Sequence, residues 1–156
     1  MTIDGQTIRV PSGPHFLLMV LANAARDKLG PEGMKSVVDA VVYLARTDHD
    51  PGWPIILAAA ARGRFERTIR GVVACLAALG VPAGRLPADT GTLPALAQVE
   101  VSRVVTVLAD CFSVKPSKFA LQRREFFLLA PVHVIAWRYG RRLRGLIKPW
   151  SGVPAF

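Results

Sequence analysis

A chain of 156 residues has the length of one domain, or of two small helical lobes sharing a core, and can fold without disulfides, metals or other cofactors. Apolar residues make up 51%, but the longest apolar runs, "HFLLMVLANAA" from His15 and "FFLLAPVHVIAW" from Phe126, fall short of the ~20 residues that cross a bilayer; no membrane span is expected. The formal net charge of +9 is unevenly placed: residues 1–100 hold 10 Lys+Arg against 9 Asp+Glu, and residues 101–156 hold 10 against 2, net +8. Such asymmetry points to a polyanionic partner, nucleic acid first and an anionic membrane surface second.

The start, "MTIDGQTIRVPSGP", reads as extended and polar, without the basic and apolar regions of a secretory leader, so a cytoplasmic location is expected. Ser12 and Pro14 then signal a helix carrying Phe16, Met19, Val20, Ala24 and Leu29 on one face, stopped by Gly30 and Pro31. "MKSVVDAVVYLAR" (34–46) predicts a second helix with Val38, Val41, Val42 and Ala45 inward. "TDHDPGWP" is a dense turn signal with Asp48 or Asp50 as cap. The run 55–80 predicts two helices broken near Gly63, the second with Phe65, Ile69, Val72, Val73, Leu76 and Leu79 as its apolar stripe. Arg64, Arg67 and Arg70 fall on its opposite, solvated side.

Residues 81–97, rich in Pro and Gly and without periodicity, read as a connector. Helix resumes over 95–112 with Val101, Val104, Val105, Leu108 and Phe112 buried. Ser113 then caps a short helix entered through Pro116 that buries Phe119. "APVHVIAWRYGRRLRGL" (130–146) predicts a long helix, followed by an extended tail containing Trp150 and Phe156. The expected fold class is therefore all-α: a compact bundle of about 6–7 helices in two sequential lobes. These are a helical N-terminal lobe (1–80), a connector (81–97) and a basic helical module (98–156).

Catalytic signals are absent from the sequence. It has no glycine-rich phosphate loop, no paired carboxylates in an apolar setting, and no nucleophile and histidine at motif spacing, so no enzyme is expected. Cys75 and Cys111 lie far apart in apolar patterns and read as reduced core thiols. No metal site is expected, because "DHD" at 48–50 lacks a second ligand cluster.

The stretch "VSRVVTVLADCFSVKPSKFALQRREFFLLAPVHVIA" resembles the opening half of the C-terminal DNA-binding domain of the DnaA replication initiator family, and with a one-residue slip the likeness continues to about residue 146. The carrying features are "LADCFSVK", the short helix around Phe119, the basic pair Arg123 and Arg124, Pro131 and the long helix after it. The resemblance implies that Arg123 or Arg124, from a loop, enters the minor groove of duplex DNA, a role suited to a planar, weakly hydrated guanidinium. The chain has no counterpart of the family's final recognition helix, so the implied contact is mainly with backbone and minor groove.

Independently of that likeness, Arg138, Arg141 and Arg142 share one face of the long helix, with Arg144 off it and Lys148 beyond, and Lys115 and Lys118 precede the twin arginine. The expectation is a DNA-binding regulatory protein acting in transcription or replication control. Its site comprises Lys115, Lys118, Arg123, Arg124, Arg138, Arg141, Arg142, Arg144 and Lys148, its ligand is double-stranded DNA, and the apolar N-terminal lobe serves homodimerisation or a partner from replication or transcription machinery. The alternative is a non-catalytic helical protein–protein interaction module or adaptor.

Overall fold

The computed structural model describes residues 2–3, 6–7, 11–46, 50–88, 93–110, 113, 115–129, 137 and 140–141. Within them run α1 (Gly13–Arg26), α2 (Met34–Arg46), α3 (Trp53–Arg62), α4 (Glu66–Ala78), α5 (Ala95–Ala109) and α6 (Lys118–Arg124), and α6 passes directly into a π-helical turn, Glu125–Leu129. Proline or glycine stands at or near the starts of α1, α2, α3, α5 and α6. Short 3-10 turns lie at Pro31–Gly33 and Ala83–Arg85, and Thr2–Ile3 pairs antiparallel with Gln6–Thr7. The class is all-α, as the periodicity predicts.

Three helices end alike. After α1, Lys28 N–H donates to Ala25 O and Leu29 N–H to Ala24 O, both at 2.9 Å. After α3, Arg64 and Phe65 repeat this with Ala61 and Ala60, and after α4, Gly80 and Val81 repeat it with Ala77 and Leu76. This is the Schellman ending, whose left-handed residue is Lys28 (φ 55°), Arg64 (φ 57°) or Gly80 (φ 92°). Two are cations, which suit the negative end of a helix. Gly52, before α3, has φ 78°, and a Cβ there would also collide with the Pro14 ring, so the α3 entry and the start of α1 pack through a missing side chain.

A single core joins the elements. Leu17, Leu21, Leu44, Ile56, Ile69, Leu76, Val104 and Leu128 are all buried in one cluster. Its hub is α4, which packs against α1, α3, α5 and the π turn. The two lobes expected from the sequence therefore pack on each other through this core, and residues 81–88 are tied into it by buried Val81 and by Leu86, which packs against it.

Several side-chain placements differ from expectation. In α2 the buried residues are Val37, Ala40 and Leu44, while Val38 is 48% and Val42 41% exposed, Val41 is half-buried and Ala45 is exposed. Both faces of α2 carry aliphatics at helical spacing; the face with Leu44 and the small Ala40 lets α1 approach closely. On α5 Val101, Val104 and Leu108 are buried and Val105 half-buried, whereas Phe112 and Cys111 lie outside the described residues.

Candidate nucleic-acid interface

Ser117, in extended conformation (φ −66°, ψ 159°), starts α6, its Oγ accepting from Ala120 N–H at 3.2 Å. The cap is thus Ser117 and not Ser113, since Pro116 can stand before the helix but Ser113 lies too far from its first turn. Phe119 is 70% exposed instead of buried; the inward positions of α6 go to half-buried Leu121 and to Arg124.

Arg123 and Arg124 occupy the last turn of α6, not a loop. Arg124 is only 2% exposed and donates to Leu29 O at 2.7 Å, meeting the carbonyl that the left-handed backbone of Leu29 (φ 50°) turns inward. Burial pulls its pKa down, and the nearby Glu100 carboxylate acts in the opposite direction. Arg123 Nε donates to Glu100 Oε2 at 2.6 Å; the Glu100 side chain is 1% exposed and that of Arg123 28%. Arg103 reaches the same oxygen more loosely, at 3.5 Å. Glu100 Oε1 and Arg124 Nε are buried without a hydrogen-bond partner among the described residues.

The structure gives the twin arginine contacts within the protein. Arg124 is inside the protein, and Arg123 is bound to a buried carboxylate, so neither guanidinium is offered from a loop in the way the resemblance implies. The sequence reading missed Glu100, although a signal was present: position 100 lies on the same helical stripe as buried Ala97, Val101, Val104 and Leu108.

The π turn is held from two sides. Arg67 Nη2 donates to Phe126 O (3.1 Å) and Phe127 O (2.8 Å), and Thr68 Oγ1 donates to Leu129 O. At the first residue of the turn, Lys28 Nζ meets Glu125 Oε2 at 2.8 Å. A π turn frees carbonyls from the regular helical ladder, and Arg67 and Thr68 of α4 satisfy three of them. Arg67 is consequently half-buried, whereas the sequence placed it in a solvated row; Arg70 too is half-buried, and Arg64 is exposed.

Among the described residues of the last third, exposed cations stand with three exposed aromatic rings, one of them Phe126 at 40%. Arg103, Lys115 and Lys118 are exposed, and so are Phe119 and, at 62%, Trp137. The Arg123 guanidinium lies 6.0 Å from the Phe119 ring centre, and that of exposed Arg141 lies 5.5 Å from the Trp137 ring centre. Of the two carboxylates in this third, Glu125 is paired with Lys28, while Asp110 is exposed. Arg138, Arg142, Arg144 and Lys148 lie outside the described residues, as do Trp150 and Phe156.

Elsewhere, an open cleft of about 500 Å³ lies between the α3 entry and the Ala83–Arg85 turn, with Asp50, Trp53, Arg70 and Arg85 on its walls. Trp53 Nε1 donates to Arg85 O at 2.9 Å, and Asp50 Oδ1 accepts from Gly52 N–H at 2.9 Å, so the cleft's indole and carboxylate already serve the fold. Cys75 is a buried free thiol whose pKa burial pushes up to about 12, so it is not a nucleophile at neutral pH. Among the described residues no cluster of three or more His, Cys, Asp or Glu could hold a metal, and no helix is long and apolar enough to cross a membrane. No family model, curated protein or solved structure matches the chain.

Proposed function

We propose that the protein is a non-catalytic DNA-binding regulatory protein that meets the phosphate backbone with the cations of its last third. The observation carrying this reading is that Arg103, Lys115, Lys118 and Arg141 are exposed on a segment whose carboxylates are few. Exposed cations in excess over carboxylates attract a polyanion and release its counterions on binding. Arg138, Arg142, Arg144 and Lys148 add charge in the same segment of sequence. Phosphate contacts position a protein without reading bases, so the expected binding is salt-sensitive and weakly selective.

The test is a titration of labelled duplex DNA at several salt concentrations. Log affinity should fall linearly with log salt, and the Lys115→Gln, Lys118→Gln double variant should flatten that slope by about 2. Both lysines are exposed, so the fold is undisturbed. Absence of binding at roughly 50 mM salt defeats the reading.

A second reading, a protein-interaction module, is favoured by Val38 and Val42, which stand one turn apart on the outer face of α2. A homodimer through that face would double the phosphate contacts. Light scattering should then show a dimer that Val38→Asp, Val42→Asp converts to monomer; a monomeric parent chain would leave only a foreign partner for this face.

A further inference from the structure

Phe119 is 70% exposed, the highest exposure among the large apolar side chains described. The exposed residues next to it in sequence are polar, Ser117, Lys118 and Gln122, and Lys115 precedes the helix, while Ala120 and Leu121 are half-buried. One ring flanked by exposed cations, with Phe126 only 40% exposed seven residues on, offers little contiguous apolar area for a protein hot spot or a bilayer. A nucleobase needs only one flat face.

The ring is also organised. Arg123, four residues on, holds its guanidinium 6.0 Å from the ring centre, and that guanidinium is fixed by its 2.6 Å bond to buried Glu100. The buried carboxylate thereby positions the cation, and the cation limits the motion of the ring. Trp137 and Arg141 repeat the arrangement at the same four-residue spacing, with the indole 62% exposed and the guanidinium 5.5 Å from its centre.

From this we infer that the protein binds single-stranded nucleic acid by stacking an unpaired base on Phe119, with Lys118 and Lys115 meeting the adjoining phosphates. The inference rests on the nucleic-acid reading above and deepens it, because bases in an intact duplex are stacked on one another and offer no face to a ring. Phe119 is the binding residue, and Arg123 and Glu100 are positioning residues acting through it.

The test compares an oligothymidylate, an oligonucleotide carrying 2-aminopurine, and a duplex, each titrated with the full chain at roughly 50 mM salt. The inference expects Phe119→Ala to weaken single-strand binding about tenfold or more and leave duplex affinity unchanged, and Phe119→Tyr to retain single-strand binding. It also expects 2-aminopurine fluorescence to be quenched by the parent chain and Phe119→Tyr but not by Phe119→Ala. Equal single-strand affinity of the parent chain and Phe119→Ala, beside normal salt-sensitive duplex binding, overturns the stacking inference alone. Failure to bind any of the three nucleic acids overturns both readings. Cosedimentation with phosphatidylserine vesicles that Phe119→Ala abolishes, without a single-strand defect, assigns the ring to a membrane surface and overturns the inference.

Discussion

Arg124 and Glu100 are two charged side chains placed where apolar ones usually stand, and their removal should have unequal effects. Glu100→Ala leaves Arg123 and Arg124 without their nearby carboxylate, and its expected cost is about 3–5 kcal/mol. Arg124→Met keeps apolar volume and leaves Glu100 still paired with Arg123, so its expected cost is smaller, about 1–3 kcal/mol for the bond to Leu29 O. Urea denaturation followed by circular dichroism checks the order. A practical consequence follows for any DNA-binding assay of the Arg123→Ala, Arg124→Ala pair: loss of binding is interpretable only beside a stability measurement.

Cys75 gives the residue scale a pH signature. An unfolded thiol loses its proton above its ordinary value near 9, while the folded one keeps it until about 12. Between those values the unfolded chain binds fewer protons, so rising pH favours unfolding and the contribution is lost at up to about 1.4 kcal/mol per pH unit. Cys75→Ala should lose stability less steeply over that window than the parent chain. Equal slopes in urea titrations at pH 9 to 11 would contradict the buried thiol.

At the scale of elements, α4 and the π turn approach closely through their backbones. A Cβ on Gly71 would stand 2.5 Å from Leu128 O, a backbone atom that cannot step aside without moving the turn. Gly71→Ala is expected to destabilise by about 1–3 kcal/mol, despite the better helix propensity of alanine. Gly84→Ala, with open space around it, should be nearly neutral and serves as control in the same thermal melts.

The elements also show what the sequence makes legible. Residues 34–46 and the break at Gly63 are marked by punctuation, which acts locally, and both appear where the pattern puts them. The inward face of α2 is not legible, because its valines sit on more than one face and only the neighbouring helix decides between them. Phe119 misleads for a related reason: a short helix has too few turns for apolar spacing to define a side, and the inward place goes to Arg124. The bonds of Arg124 to residue 29 and of Arg123 to residue 100 join segments no window of sequence compares. The charge asymmetry is legible at once, but its division into internal and exposed cations is not.

For the whole molecule, the shared core predicts co-operative unfolding. Since α4 packs on α1 and α3 on one side and on α5 and the π turn on the other, residues 1–80 alone would expose part of the core. Far-ultraviolet and tryptophan signals of the full chain should report one coincident transition. A fragment of residues 1–80 should show reduced helicity and a tendency to associate; an independently folded, monomeric fragment would contradict the shared core.

The tie between Leu29 and Arg124 spans 95 positions. On a ribosome, at ~5–20 residues per second, the first partner therefore waits roughly 5–20 s for the second to be made. From the completion of α4 until the end of that interval the π turn is missing, and until residue 109 is made α5 is missing too, so the nascent chain is the form most exposed to misassociation. The last third is thus also a late-arriving clasp, and an arrest-peptide assay should register folding force only once residues through about Leu129 have left the exit tunnel.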